Sequence, residues 1–217
     1  MISLMLLFLA FFAQIPQDTA PNQDNPRLKE GEKAPLFKTK DVYGHQLKLK
    51  KILKSNERTL LVFMRHAWCP VCNLRSHELI DNYKNLQAAG YEVVVVYESK
   101  QEALLRYVED HQLPFKVIAD PQGLLYKEYK VERNAEKLKA SLKRKETLEH
   151  IEKGKNMYKK EFKSYMAEGE SVDALIPADF VLDHKGKIIK AYYGQYLDDH
   201  LPLEELVQTT LQDTNSH

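Results

Sequence analysis

Three observations predict an α/β fold. Short, branched, apolar runs alternate with longer segments of helical periodicity from residue 59 onward. The last two runs are separated by the turn Asp183–His184–Lys185–Gly186, so the alternation closes on a hairpin. At the junction of the first run and the first helical segment stand the only two cysteines of the chain, Cys69 and Cys72. Strands that alternate with helices form a sheet covered by those helices.

The elements follow in order. Met1 to Ala13 reads MISLMLLFLAFFA and carries no charge. A run this short suits a signal-peptide core better than a span of about 20 residues. Residues 1–20 are therefore expected to be a signal peptide or short membrane tether, with the protein exported, periplasmic or facing outside the cytoplasm. The alternative is a wrongly assigned start on a cytosolic protein. Gln14 to Lys33 is rich in Pro, Asn, Gln and Asp, and 21–30 is expected to be a linker. The domain is expected over 31–213. Around Gly44, alternating apolar residues suggest a short N-terminal hairpin.

Thr59–Met64 and Glu92–Tyr97 are too short for independent helices and read as buried central strands. Lys116–Ala119, Asp179–Leu182 and Lys187–Tyr193 are the remaining strand candidates. Helices are expected over Val71–Ala89, Lys100–His111, Gln122–Lys130 and Leu203–Leu211. The stretch 131–170 has no strand signal. Leu138, Leu142, Leu148, Ile151, Tyr158, Phe162 and Tyr165 recur at roughly helical spacing, and 131–165 holds eleven Lys/Arg and six Glu. It reads as a helical insertion with a solvated basic face; docking to an acidic partner or a membrane surface is the functional alternative.

The 217 residues suit one domain, and 43% hydrophobic residues suffice for a core. With 32 basic and 31 acidic side chains, net charge +1, there is no reason to expect nucleic-acid binding.

Cys69–Pro70–Val71–Cys72 carries the chemistry. A disulfide across two residues closes too small a loop to be a useful staple. At a strand-to-helix junction, Cys69 starts the helix, and its sulfur is expected to point to solvent near free N–H groups that favour a thiolate. Pro70 suits the first turn because its missing N–H costs nothing there. Cys72, one turn on, is placed to resolve, and one attacking plus one shielded sulfur is what exchange requires. Half a zinc site is the other reading, but zinc takes four ligands and there is no second C-x-x-C. His66 and His77 could complete a set, yet both read better as surface or supporting residues. Trp68 is either core filling or a shield and flat face at the thiolate. Ile176–Pro177 precedes a buried strand; the proline is either a simple strand start or part of a cis turn that brings Ile176 backbone groups to the cysteines.

TLLVFMRHAWCPVCNLRSHEL resembles the active-site strand, loop and helix of the thioredoxin superfamily, and more closely the peroxiredoxin-like AhpC/TSA (redoxin) group. GEKAPLFKTKDVYGHQLKL, ADPQGLLYKEYKV and IPADFVLDHKGKIIKAYYG resemble that group's opening hairpin, its segment after the third strand, and its cis-proline strand with closing hairpin. The resemblance covers about 31–207. It implies a thioredoxin fold (a central mixed sheet flanked by helices), with an N-terminal hairpin, the helical insertion, and Pro177 as a cis-proline facing Cys69. Typical peroxiredoxins carry F-x-P-x-x-x-T-x-x-C. On that pattern Phe63 and Cys72 match, whereas Arg65 stands at the proline, Cys69 at the threonine, and the distant peroxide-activating arginine has no assignable counterpart.

The expected function is thiol–disulfide exchange on protein thiols or disulfides, with Cys69 and Cys72 catalytic, Trp68, Pro70, Ile176 and Pro177 supporting, a redox partner protein, and no cofactor or metal. The alternatives are a thiol-dependent peroxidase acting on hydroperoxides through Cys72 or Cys69, and a non-enzymatic copper or zinc carrier.

Overall fold

The computed structural model describes residues 26–207. The expected signal peptide or tether over 1–20 and half of the expected linker lie outside them, as do the last residues of the helix expected over Leu203–Leu211 and of the domain expected to 213. No helix among the described residues is long and apolar enough to cross a membrane.

Residues 31–34 pair with the start of the closing hairpin, Gly31 and Ala34 donating to the carbonyls of Ile188 and Gly186. An antiparallel hairpin follows, β1 (Lys38–Lys40) with β2 (Gln46–Lys48). The chain then forms α1 (Leu49–Ser55), β3 (Arg58–Phe63), α2 (Pro70–Ala88), β4 (Tyr91–Tyr97), α3 (Gln101–His111), β5 (Lys116–Ala119) and α4 (Leu124–Glu128). Next come α5 (Ala135–Ser141), α6 (Lys145–Asn156) and a 3-10 turn at Phe162–Tyr165. β6 (Ala178–Asp183) and β7 (Ile188–Tyr193) close the sheet.

The sheet order is β5-β4-β3-β6-β7. β3 and β4 run parallel in register from Arg58↔Tyr91 to Phe63↔Val96, and β4 and β5 are also parallel. β6 is antiparallel to both β3 and β7. This mixed sheet with helices on both sides is the predicted thioredoxin-type arrangement. β3 and β4 are continuous apolar runs because both their faces are buried. Leu60, Val62, Val93 and Val95 face the core beneath α2 and α3. Leu61, Phe63, Val94 and Val96 face the second core with α1 and α4.

Helix α1 is not foreseen by the sequence reading. Its N-cap residue is Lys48, which provides no side-chain cap, so no local start signal exists. Leu49, Ile52 and Leu53 fix it by burial instead.

The approach to β6 corrects one expectation. No peptide bond among the described residues is cis, so Ile176–Pro177 is trans. Leu175 bridges Arg133, and the Ile176 N–H donates to the Glu132 carbonyl at 3.0 Å. The chain therefore enters β6 as extended backbone paired with the segment before α5, and the Ile176 N–H is committed there rather than offered to the cysteines. The Ile176 side chain is buried in the same apolar cluster as both cysteines.

Candidate active site

The site lies where β3 ends, at the carboxyl edge of the parallel strands. The Met64 N–H continues the ladder to Val96 O, and residues 65–69 then turn into α2. Cys69 is the N-cap of α2, with extended φ/ψ of −86° and 117°, and Pro70 occupies the first turn. The Asn73 N–H donates to the Cys69 carbonyl at 2.9 Å, which starts the helix.

The insertion closes over this junction. Helix α6 crosses α2 at Gly154, where an added Cβ would sit 2.0 Å from the Pro70 carbonyl oxygen. The Asn73 amide donates to the Gly154 carbonyl at 2.8 Å, and Tyr107 donates to the Asn73 side-chain oxygen at 2.9 Å. The Tyr158 hydroxyl donates to Ala67 O at 2.8 Å. The Trp68 indole N–H donates to Glu170 Oε2 at 2.8 Å. Cys69 is consequently 2% exposed and Cys72 1%. The outward-pointing Cys69 sulfur expected from the motif is corrected by this cover, which 40 residues of inserted chain supply and no local pattern announces. His66 is likewise buried, not a surface residue. Cavities of about 650 Å³ around Lys54, Arg58 and His184, and about 320 Å³ around Lys48, Lys51 and Lys116, lie at the opposite ends of the strands.

Both cysteines are free thiols, and their surroundings differ. Arg65 Nη1 donates to Cys69 Sγ at 3.3 Å, while the Arg65 backbone N–H donates to Cys72 Sγ at 3.4 Å. Burial opposes charge on Cys69, but a hydrogen bond from Cys72, the Arg65 guanidinium and the His66 ring outweigh it and bring the thiol down to about 5. Burial, together with its bond to Cys69, pushes Cys72 well above the ordinary thiol range. The negative charge thus settles on Cys69, the sulfur that receives the guanidinium, and the proton stays on Cys72.

Arg65 is held in turn. Its Nη2 donates to the Asp173 carbonyl at 2.8 Å and lies 3.8 Å from the Asp173 carboxylate. His66 stacks on Trp68, centroids 5.0 Å apart and planes within 3°. Arg133 bridges the carboxylates of Glu98 and Asp173. His66, Glu98 and Asp173 bring potential ligand atoms within 4.8 Å of one another, but the cation between the two carboxylates is this guanidinium, and no cysteine belongs to the group. The copper or zinc carrier expectation therefore finds no joint cysteine–histidine ligand set among the described residues.

Of the residues expected to support the site, the structure brings Trp68, Pro70 and Ile176 around the pair. The backbone carbonyl of Pro177 accepts from Gly194 on the hairpin side. No sequence signal joins Arg65, Asp173, Glu98 and Arg133 into a group. Arg65 and Asp173 are 108 residues apart in sequence, and no motif spacing could connect them.

Residues 31–191 match the AhpC/TSA family. Peroxiredoxin Bcp of Escherichia coli K12 is 34% identical over 96 residues, 44% of this chain; the match spans only 60% of that relative's length. Among solved structures, Peroxidoxin BcpB of Mycobacterium tuberculosis superposes with a TM-score of 0.61 at 16% identity, covering 86% of this chain and 98% of its own. A Chlorobium tepidum chain assigned to the DsbE thiol:disulfide interchange proteins superposes with a TM-score of 0.53 at 19% identity, covering 85% and 99%. At these identities the structural likeness establishes the fold. With the family match across three-quarters of its length, a mixed sheet of thioredoxin type and a cysteine pair at the strand-to-helix junction, the chain belongs to the AhpC/TSA family.

Proposed function

We propose that the protein is a dithiol–disulfide oxidoreductase in which Cys69 is the nucleophile and Cys72 resolves. The observation that carries this is the asymmetry of the two sulfurs: Cys69 receives the Arg65 guanidinium together with the thiol and backbone N–H of Cys72, whereas Cys72 receives the Arg65 backbone N–H. The Cys69 thiolate attacks one sulfur of a substrate disulfide and expels the other as a thiolate. The Cys72 thiol then gives its proton to the departing substrate sulfur and attacks Cys69, leaving a Cys69–Cys72 disulfide and a fully reduced substrate. The reverse sequence oxidises a substrate dithiol. Cys69→Ser should abolish turnover, and Cys72→Ser should accumulate a mixed disulfide on Cys69. Turnover retained in Cys69→Ser, or adducts trapped on Cys72 instead, would sink the assignment.

The burial of both sulfurs favours a second reading, in which a small hydroperoxide is the oxidant. The Cys69 thiolate takes the terminal peroxide oxygen to become a sulfenic acid, and the alkoxide leaves as alcohol with one proton. Cys72 attacks the sulfenic acid, releases water and forms the same disulfide. In this reading Cys69 replaces Cys72 as the peroxide-reactive residue, because Arg65 Nη1 reaches Cys69 alone. Peroxide consumption with a dithiol reductant no faster than in the double-cysteine variant would remove it. We also propose export from the cytoplasm, on the charge-free run of residues 1–13; a cytoplasmic location on fractionation would contradict it.

A further inference from the structure

Arg65 and His66 stand side by side at the end of β3, and the His66 ring is held at both nitrogens. Nδ1 lies 2.6 Å from the Glu98 carbonyl oxygen. A carbonyl has no hydrogen to give, so Nδ1 carries a proton and donates. Nε2 is buried, makes no hydrogen bond of good geometry, and faces Asp173 Oδ1 at 3.5 Å. That carboxylate is itself fixed by the Leu175 N–H and by Arg133. A neutral ring would turn an Nε2 lone pair toward the carboxylate; a protonated ring turns an N–H toward it. The Trp68 indole lies flat against the ring and shuts out water on that side.

We infer that His66 is a fixed imidazolium, not a proton acceptor, and that together with Arg65 it acts as a positioning residue that poises the Cys69–Cys72 disulfide for ready reduction by thiols. This rests on the dithiol reading above. The disulfide takes two electrons and one proton to give the Cys69 thiolate and the Cys72 thiol. A dithiol or two thiols supply the electrons as they become a disulfide; one of their protons goes to Cys72 and the other to solvent. The new negative charge appears on the sulfur that Arg65 contacts at 3.3 Å, with the His66 ring on the next residue of the same loop and against the Asp173 carboxylate that Arg65 also faces. In the disulfide that sulfur is neutral and the cations gain nothing from it. The arrangement therefore favours the reduced form, and a stabilised reduced form makes the disulfide oxidising.

The other charges around His66 are accounted for. Arg65 and Cys69 belong to its own loop, Glu98 to the end of β4, Asp173 to the segment before β6, and Arg133 pairs with both carboxylates. Against burial, Asp173 raises the ring's proton affinity above the ordinary histidine value.

The test compares wild type with His66→Gln, which keeps a donor for the Glu98 carbonyl and removes the charge. The equilibrium constant for reduction by glutathione should fall about tenfold, equivalent to about 30 mV, and the midpoint of thiolate absorbance should rise. Ring-nitrogen NMR of the wild type at neutral pH should show protons on both Nδ1 and Nε2. A singly protonated neutral ring would overturn the inference, even if the variant failed to fold. An unchanged equilibrium constant and midpoint in a folded variant would do the same. If the wild type showed no reversible two-thiol transition, the dithiol reading and the redox poise would fall together; the ring nitrogens would still report the charge of His66 separately.

Discussion

The two faces of the sheet are packed by different rules. On the face shared with α1 and α4, Phe63, Tyr126, Tyr129 and Phe180 form an aromatic cluster with centroid separations of 5.0–5.9 Å. The tyrosine hydroxyls of the cluster have partners: Tyr126 Oη lies 2.6 and 2.9 Å from the Met64 and Val96 carbonyl oxygens, and Tyr129 donates to Pro35 O, while the buried Thr59 hydroxyl on the same side of β3 has none. On the face beneath α2 and the insertion, the core ends in a cysteine pair, a guanidinium and an imidazole. Arg65 Nε and His66 Nε2 remain buried without a hydrogen bond. Unpaired buried polar atoms each cost about 1–3 kcal/mol. One face is packed with aromatic rings, and the other accepts a local penalty to hold charge next to sulfur.

Substitutions on the two faces should therefore separate reactivity from stability. The largest effect is expected from Arg65→Met, which should lower the rate of Cys69 reaction at neutral pH by about tenfold to a hundredfold, since each unit of upward shift across the working pH removes up to about tenfold of the thiolate. Stopped-flow rates with a disulfide substrate and with peroxide would measure it. Unchanged rates would mean that the guanidinium does not activate the sulfur. Phe180→Ala on the other face should cost about 3–5 kcal/mol in urea unfolding and leave the Cys69 titration where it was. A titration that moved with Phe180 would erase the division between the faces. Gly154→Ala should cost about 1–3 kcal/mol, because its methyl must push α6 off the Pro70 carbonyl; Cys69 should then react faster with bulky alkylating agents as the cover loosens. The smallest change is Trp68→Phe, losing the bond to Glu170 at about 1 kcal/mol.

The pH dependence of stability sharpens the same contrast. The folded Cys69 thiol is depressed to about 5 from an unfolded value near 9.0. The unfolded chain thus holds its proton over that interval while the folded chain has lost it. The contribution is fully present above about pH 9 and is lost as pH falls through about 5. Reduced wild type minus reduced Cys69→Ser should accordingly gain stability from pH 5 to pH 9, read from urea midpoints. Phe180→Ala should subtract a constant across that range.

Much of the fold is legible because its signals are local. The valine run of β4 and the apolar run of β3 announce strands buried on both sides, and Pro70 after Cys69 marks the start of α2. Helix α1 is not legible, because Lys48 gives no cap and only the tertiary burial of Leu49, Ile52 and Leu53 defines it. The motif names the two sulfurs but not what surrounds them. His66 reads as a surface residue until Trp68, Glu98 and Asp173 close on its ring, and Asp173 acquires meaning only through Arg65 and His66. Ile176–Pro177 invites a cis turn, yet the pairing of Leu175 with Arg133 draws that backbone into an extended bridge.

The central claim is that the negative charge of the reduced pair resides on Cys69. Thiolate ultraviolet absorbance of the reduced protein, titrated against pH, tests it without requiring access to the buried sulfurs. A single-thiolate step with a midpoint near 5, missing in Cys69→Ser, is the predicted result. A midpoint near the ordinary thiol value, or a low-pH step that survives in Cys69→Ser and disappears in Cys72→Ser, would contradict it.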